Sequence, residues 1–204
     1  MANVLIAFYS RDGMTEALAQ AVAGGAIAAG GTVRLRRARE LVAADVMAMV
    51  PGWAERAARM TALYEAPAIE DALWADAIVI GTPSRFGLVC AEVKAFLDGL
   101  GGLWAKGKLV NKVGSAFAST GTVHGGNEMA NLTMFVPMAH FGMIIVPPGF
   151  ADPAMFAAGT PYGASAISQN RPGAVPNEAE VKAARYQGRR VTEIARALKA
   201  GKME

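Results

Sequence analysis

The chain has 204 residues, of which 53% are hydrophobic and 18% are charged, and its formal net charge at pH 7 is +3. This length and hydrophobic content predict one large domain, residues 1–204, with a well-covered core. No apolar run of 18 residues is free of charge and glycine, and the first residues lead straight into a strand. The sequence therefore predicts neither membrane insertion nor a signal peptide, and favours a cytoplasmic protein.

Charge and cysteine usage exclude further classes of protein. A single cysteine, Cys90, rules out an intrachain disulfide framework and is interpreted as a packing residue. The basic residues are scattered, and their one small cluster, Arg34 to Arg39, is interpreted as a solvated strand end. It is too short and too poor in aromatic residues to predict binding of nucleic acid. We predict no metal site.

Strands and helices alternate along the chain. Apolar runs predict buried strands at residues 4–9, 77–80, 113–117 and 143–146, and an alternating run predicts a more exposed strand at 32–37. Helical spacing predicts helices at 15–29, 89–100, 128–141 and 177–200, and Asn177 caps the last. We also expect a helical insertion at about 42–66, a turn at 101–104 and a long loop at about 149–176. This order predicts an α/β fold with a parallel sheet covered by helices on both faces.

The first strand ends in a turn that can bind an anion. Ser10, Arg11, Asp12, Gly13, Met14 and Thr15 join this strand to the helix that follows. A helix N-terminus offers unpaired N–H groups, and the two hydroxyl groups add donors for a phosphate. The turn carries neither a Walker loop nor a GxGxxG fingerprint, so taken alone it is as well explained as an ordinary connection.

Two further loops follow the third and fourth predicted strands. The loop after the third strand contains Thr82, Pro83, Ser84, Arg85, Phe86 and Gly87, and the loop after the fourth contains Ser119, Thr120, Gly121, Thr122, Val123 and His124. Ligands of such sheets bind outside the carboxyl ends of the strands, where the strand order switches. One phosphate cradle and two loops able to hold a flat ring predict a mononucleotide with a large aromatic head, which points to FMN.

Seven separated motifs, in one order, resemble a known family. They are Tyr9-Ser10…Gly13; Gly81-Thr82-Pro83-Ser84-Arg85-Phe86-Gly87; Gly101-Gly102-Leu103-Trp104; Ser119-Thr120-Gly121-Thr122; His140-Phe141-Gly142-Met143; Gly159-Thr160-Pro161-Tyr162-Gly163-Ala164; and Ala184-Arg185-Tyr186-Gln187-Gly188. Over essentially the whole chain, this pattern resembles the WrbA-type NAD(P)H:quinone oxidoreductases, which are flavodoxin-like FMN proteins. The resemblance implies a doubly wound, five-stranded parallel sheet of order 2-1-3-4-5.

The resemblance also implies a reaction, its site and an assembly. FMN would take a hydride from NAD(P)H and pass two electrons to a quinone in a ping-pong reaction. The turn at 10–15 would hold the FMN phosphate, residues 82–87 would line the flavin, and residues 119–124 would donate N–H groups to its pyrimidine edge. His140 would lie near the ring as the candidate proton donor, and Trp104 would wall the quinone pocket. The family forms homotetramers, in which neighbouring subunits complete each site.

Some positions depart from the family, and other functions compete. Asp12 stands where the family commonly has an aromatic residue facing the nicotinamide, and this places Asp12 at the second substrate's site. The 42–66 stretch and the Val123-His124 loop are longer than in compact members. From its residue type alone, His140 would more often be a buried structural histidine. The rival functions are a flavodoxin-type electron carrier, which is usually shorter and strongly acidic, and a flavin-binding adaptor without significant turnover.

Overall fold

The computed structural model describes residues 1–171 and 173–201; Pro172, which belongs to the predicted loop, and residues 202–204 lie outside the described part. Its strands are β1 Asn3–Phe8, β2 Thr32–Arg37, β3 Ala77–Pro83, β4 Val113–Thr120, β5 Ile144–Ile145 and β6 Ser165–Ile167. Its helices are α1 Met14–Ala28, α2 Ala44–Ala48, α3 Trp53–Leu63, α4 Ile69–Trp74, α5 Ala91–Gly99, α6 Gly101–Trp104, α7 Asn127–His140, α8 Pro153–Ala158 and α9 Glu178–Ala200.

All strand pairs are parallel, and the main path of the sheet runs β2-β1-β3-β4-β5. The predicted order 2-1-3-4-5 is therefore confirmed. One strand was not predicted: β6 pairs with the second half of β4, at Ala118 to Thr120, whereas β5 pairs with its first two residues. The fifth position of the sheet is thus shared by two short strands, with residues 146–164 inserted between them.

Helices cover both faces of the sheet, which explains the unbroken apolar run of β1. Val4, Ile6 and Phe8 face the core formed with α1 and α9. Leu5 and Ala7 face the opposite core, to which α5 and α7 contribute. Side chains alternate between the two faces of a strand, so a strand buried on both faces must be apolar at every position.

Two glycines let α1 and α9 touch backbone to backbone. A Cβ added to Gly25 would lie 1.9 Å from the carbonyl oxygen of Arg185, and one added to Gly188 would lie 2.0 Å from that of Val22. Neither distance leaves room for a side chain. The helix that begins at the first loop is therefore held directly against the helix that ends the described chain.

Two local predictions are wrong. Residues 101–104 form the short helix α6 instead of a turn, since the chain continues from α5 without a break. The stretch 149–176 was predicted as a loop but contains α8, capped by Asp152, and the three residues of β6. Both elements are short, and the surrounding glycines and prolines hide their periodicity.

Candidate functional site

A cleft of about 200 Å³ lies at the carboxyl edge of the sheet, where the strand order switches between β1 and β3. Its walls come from four loops that follow β1, β3, β4 and β6. They are formed by Ser10, Arg11, Asp12, Met14, Thr15, Pro83, Ser84, Arg85, Ser119, Thr120, Gly121, Ser168 and Asn170. The three loops predicted from the sequence therefore meet in one place, as parallel strands require.

The loop after β1 has the geometry of an anion cradle. Gly13 precedes α1 with φ 97°, and its N–H donates to Ser10 Oγ over 3.1 Å. The first hydrogen bond within α1 runs from Ala17 N to Gly13 O. Among the described residues, the backbone N–H groups of Asp12, Met14 and Thr15 have no acceptor. Such groups at a helix N-terminus bind phosphate without need of a side chain.

A pair of hydroxyl groups and one buried arginine hold this cradle in place. The buried hydroxyl groups of Thr15 and Ser119 share a hydrogen bond of 2.7 Å, which joins the first loop to the third. Arg37 is only 3% exposed and donates to the carbonyl of Ser10 and to Glu40. The interpretation of Arg37 as part of a solvated strand end is therefore wrong.

Tyr9, directly after the first strand, is buried and donates a hydrogen bond to Glu40. Burial, and then this hydrogen bond, raise the pKa of Tyr9, so the phenol stays neutral.

Asp12 and Arg11 lie at the mouth of the cleft. The carboxylate of Asp12 is 61% exposed and lies 3.6 Å from Arg11 and 3.6 Å from Arg56 of α3. The guanidinium of Arg11 stacks on the ring of Trp53 at 4.4 Å from the ring centroid. The helical insertion therefore reaches the cleft, and Asp12 is flanked by two cations.

The second loop ends in a tight turn that exposes an aromatic ring. Arg85 and Leu88 exchange both backbone hydrogen bonds, each 3.0 Å, across Phe86 and Gly87, whose φ angles are 56° and 81°. Two consecutive positive φ values define a type I′ turn, which a phenylalanine adopts only under strain. The side chain of Phe86 is fully exposed as a result.

The third loop is locked to the second and offers free donors. Ser84 Oγ donates to Gly125 O over 2.7 Å and accepts from Gly87 N. A Cβ on Gly126 would lie 2.7 Å from Gly87 Cα, so the two loops touch through their backbones. Within the described chain, the backbone N–H groups of residues 121–124 donate no hydrogen bond. They are available to a ligand with acceptors along one edge.

Two residues of the cleft were missed by the sequence. Ser168 and Asn170 follow β6, and the N–H of Ser168 donates to Thr120 O over 2.9 Å. The Asn170 side chain lies against Gly121, since a Cβ there would be 2.1 Å from Asn170 Oδ1. The available signal was the short run Ala164-Ser165-Ala166-Ile167, which is apolar except for one serine and was hidden inside the predicted loop.

Some predicted residues do not line the cleft. Thr82 is buried, and its hydroxyl donates to Pro83 O and accepts from Cys90 N, so it holds the loop instead of facing a ligand. Val123 and His124 line a separate cleft of about 500 Å³ beyond the third loop. Cys90 is a packing residue, and burial raises the pKa of its thiol to about 11.

His140 and Trp104 lie at the opposite edge of the sheet. Each is the last residue of its helix, and Trp104 Nε1 donates to the carbonyl of His140 over 3.0 Å. Helix α7 starts beside the third loop and runs for 14 residues, so its end lies about 20 Å away. Within one chain His140 and Trp104 therefore lie away from the cleft, and the prediction that they serve the ring and the quinone depends on a neighbouring subunit.

The described residues contain no cluster of three or more His, Cys, Asp or Glu side chains placed to hold a metal ion. In the same part of the chain, every helix is too short or too polar to cross a membrane.

Comparisons with known proteins agree with this geometry. The model of the NADPH-dependent FMN reductase family matches residues 3–156. NAD(P)H dehydrogenase (quinone) 3 of Rhizobium meliloti is 44% identical over 99% of this chain and 96% of its own. NAD(P)H dehydrogenase (quinone) of Afipia carboxidovorans is 41% identical over 97% and 99%.

Solved structures show the same fold. A flavodoxin, WrbA-like protein from Agrobacterium tumefaciens superposes with a TM-score of 0.65 at 23% identity, over 97% of this chain and 99% of its own. A flavodoxin from the domain Archaea superposes with a TM-score of 0.62 at 16% identity, over 95% and 99%. At these identities the likeness concerns the fold alone.

Proposed function

The chain belongs to the NADPH-dependent FMN reductase family, and from that premise we propose that it is an FMN-dependent NAD(P)H:quinone oxidoreductase. The single observation that carries the proposal is the convergence of three donor-rich loops on one cleft at the switch point of the sheet. When bound there, FMN supplies the two-electron chemistry that connects a nicotinamide donor with a quinone acceptor.

The residues of the cleft fit the parts of FMN. The unpaired N–H groups of the first loop, together with Ser10 and Thr15, suit the phosphate dianion. The free N–H group of Gly121, which lines the cleft, and that of Thr122 beside it suit acceptors on the edge of a planar ring. Ser84 and Arg85 lie between these two donor sets. The first loop closes on α1, and the described residues offer no comparable cradle there for the adenylate arm of FAD.

The chain's own residues bind and orient, and none is needed as a nucleophile. The hydrogen bonds from Thr15 to Ser119 and from Ser84 to Gly125 fix the spacing of the three loops before any ligand arrives. Donors that are fixed in advance stabilise developing charge without reorganisation. The exposed ring of Phe86 stands at the rim, where it can cover a flat acceptor.

A second copy of the chain completes the site in this proposal. Helix α7 carries exposed apolar residues Met129, Leu132 and Val136 on one face, between the Phe86 turn and the Trp104 end. Two such helices packed antiparallel about a two-fold axis would bring Trp104 and His140 of one chain to the Phe86 rim of the other. We propose this contact as part of a homotetramer. In that arrangement a second chain's His140 would be the candidate proton donor.

The rival functions fit less well. A flavodoxin-type carrier docks through acidic charge, whereas this chain has a net charge of +3. A flavin-binding adaptor has no use for a strained turn that presents Phe86 to solvent. Nicotinamide coenzymes and a lone buried cysteine fit a cytoplasmic enzyme.

The purified protein's visible spectrum tests the function. We expect a flavin spectrum that NADH or NADPH bleaches under anaerobic conditions and that benzoquinone restores at a rate matching steady-state turnover. Extraction should yield FMN in stoichiometric amount. Stoichiometric FAD would overturn the cofactor assignment, and bleaching without recovery on addition of quinone would overturn the acceptor.

A further inference from the structure

The helical insertion formed by α2 and α3 has no role in the reaction proposed above, yet three of its side chains reach the first loop. Trp53 lies under Arg11, Arg56 lies beside Asp12, and Arg59 forms a paired salt bridge with Glu16. Each of these contacts falls on a residue at or next to the anion cradle. The insertion is thus fastened to the part of the cleft that is best suited to a phosphate.

The guanidinium of Arg11 has N–H groups that donate no hydrogen bond to any described residue. Its buried Nε lies 3.6 Å from Asp12 Oδ1, an ion pair too long to be a hydrogen bond. The side chain lines the cleft beside Ser10 and Thr15 and is 33% exposed. A guanidinium carries five N–H donors in a fixed plane, and phosphate oxygens are the acceptors that match them best.

Trp53 determines where that plane lies. It is buried at the start of α3, and its ring faces the guanidinium at 4.4 Å. Its indole Nε1 has no acceptor among the described residues, so the ring holds Arg11 through its face and not through a hydrogen bond. Stacking on the face of an arginine leaves the donors at its edge free.

We propose that α3, acting through Trp53, positions Arg11 as a clamp on the 5′-phosphate of FMN. The inference rests on the proposed function, because it presupposes a flavin mononucleotide in the cleft. Arg56 supports the clamp by lying 3.6 Å from Asp12, where it offsets a carboxylate that would repel the phosphate. Trp53 is a positioning residue in this scheme, and Arg11 is the group that touches the ligand.

Riboflavin, which lacks the phosphate, gives the experiment its contrast. The flavin is removed from the full chain, and the dissociation constants of FMN and riboflavin are measured by quenching of flavin fluorescence. Trp53→Leu keeps an apolar side chain but loses the ring, and should weaken FMN by about 3- to 10-fold, the range expected of a cation–π contact. Arg11→Gln should weaken FMN by about 10- to 100-fold. Neither variant should change riboflavin binding by more than about twofold.

Two further variants serve as controls. Trp53→Phe restores a stacking face and should recover most of the FMN affinity. Trp74→Leu makes the same substitution in a second arginine–tryptophan pair, where Arg34 lies 4.1 Å from the Trp74 ring on the far side of β2, and should leave both flavins unaffected.

The outcomes separate this inference from the proposed function. Equal loss of FMN and riboflavin in Trp53→Leu would show that the ring only supports the fold, and would overturn the positioning role. An unchanged FMN-to-riboflavin ratio in Arg11→Gln would overturn the clamp even if Trp53→Leu does not fold. Both results leave the proposed function standing. If the unaltered protein binds neither flavin, the proposed function fails, and the clamp fails with it.

Discussion

Trp104→Ala tests whether the end of α6 serves the cleft of a second chain. The side chain is 53% exposed, and its one hydrogen bond within the described residues runs from Nε1 to the carbonyl of His140, so its loss leaves no cavity in the core. An aromatic stack contributes about 0.5–1.5 kcal/mol beyond area burial, which corresponds to a quinone KM raised about 2- to 12-fold. FMN affinity should not change, because the chain's own cleft lies at the other edge of the sheet.

A mixing experiment shows which chain supplies the ring. Gly121→Val places a branched side chain in the cleft where Asn170 packs, so this chain should hold no FMN but still carries Trp104. When the two variants are unfolded together and refolded, Trp104→Ala chains that pair with Gly121→Val chains should regain the unaltered quinone KM. About half of the active sites should do so in an equal mixture. A mixture that shows only the raised KM of Trp104→Ala would refute a site shared between chains.

Three more predictions concern the rim, the loops and the sheet edge. Asp12→Asn removes a carboxylate that two arginines already flank. The KM for NAD(P)H should therefore fall only about 2-fold at low salt and should not change at high salt. A KM that rises at low salt would contradict this expectation. In Gly126→Ala the new residue must keep φ 84°, and its Cβ would lie 2.7 Å from Gly87 Cα. The substitution should lower the free energy of unfolding by about 1–3 kcal/mol and weaken FMN binding. Gly24→Ala, with open space around it, should be harmless, and equal effects of the two would refute the reasoning. Burial tends to raise the pKa of Asp71, but hydrogen bonds from Ala68, Arg36 and Arg34 outweigh it and lower the pKa overall. The ionised carboxylate therefore stabilises the folded state above about pH 4, and this stabilisation is lost as the pH falls further. The difference in Tm between the unaltered protein and Asp71→Asn should therefore narrow in acid, and a constant difference would argue against an ionised Asp71.

Much of the fold was predictable because apolar residues recur in a recognisable pattern along long strands and helices. The central strands β1, β3 and β4 were located to within a few residues, since burial on both faces demands an uninterrupted apolar run. The three-residue β6 was not located, because three residues carry no usable period. Its pairing with β4 is decided by the vacancy that the short β5 leaves on that side of the sheet.

The site was predictable as a set of loops but not as a set of contacts. Strand order brought the loops after β1, β3 and β4 together, and that order follows from the connectivity of the fold. Which side chains point into the cleft depends on local geometry. The hydroxyl of Thr82, for example, makes its hydrogen bonds to Pro83 and Cys90 and none to the cleft. The burial of Arg37 depends on a partner, Glu40, that its place at the end of β2 does not reveal. The motif that contains His140 predicts its order along the chain, but it does not show that the residue falls at the end of α7 away from this chain's own cleft.

The contact between Gly25 and Gly188 has a consequence for the order in which the protein matures during synthesis. The helix that begins at the phosphate cradle is made early, but the helix it must touch follows about 160 residues later. At about 5–20 residues per second this is a delay of roughly 8 to 30 s. Until then α1 can pack on the sheet, but the face of small residues that α9 covers stays exposed. A nascent chain should therefore acquire its nucleotide only after α9 has emerged from the ribosome.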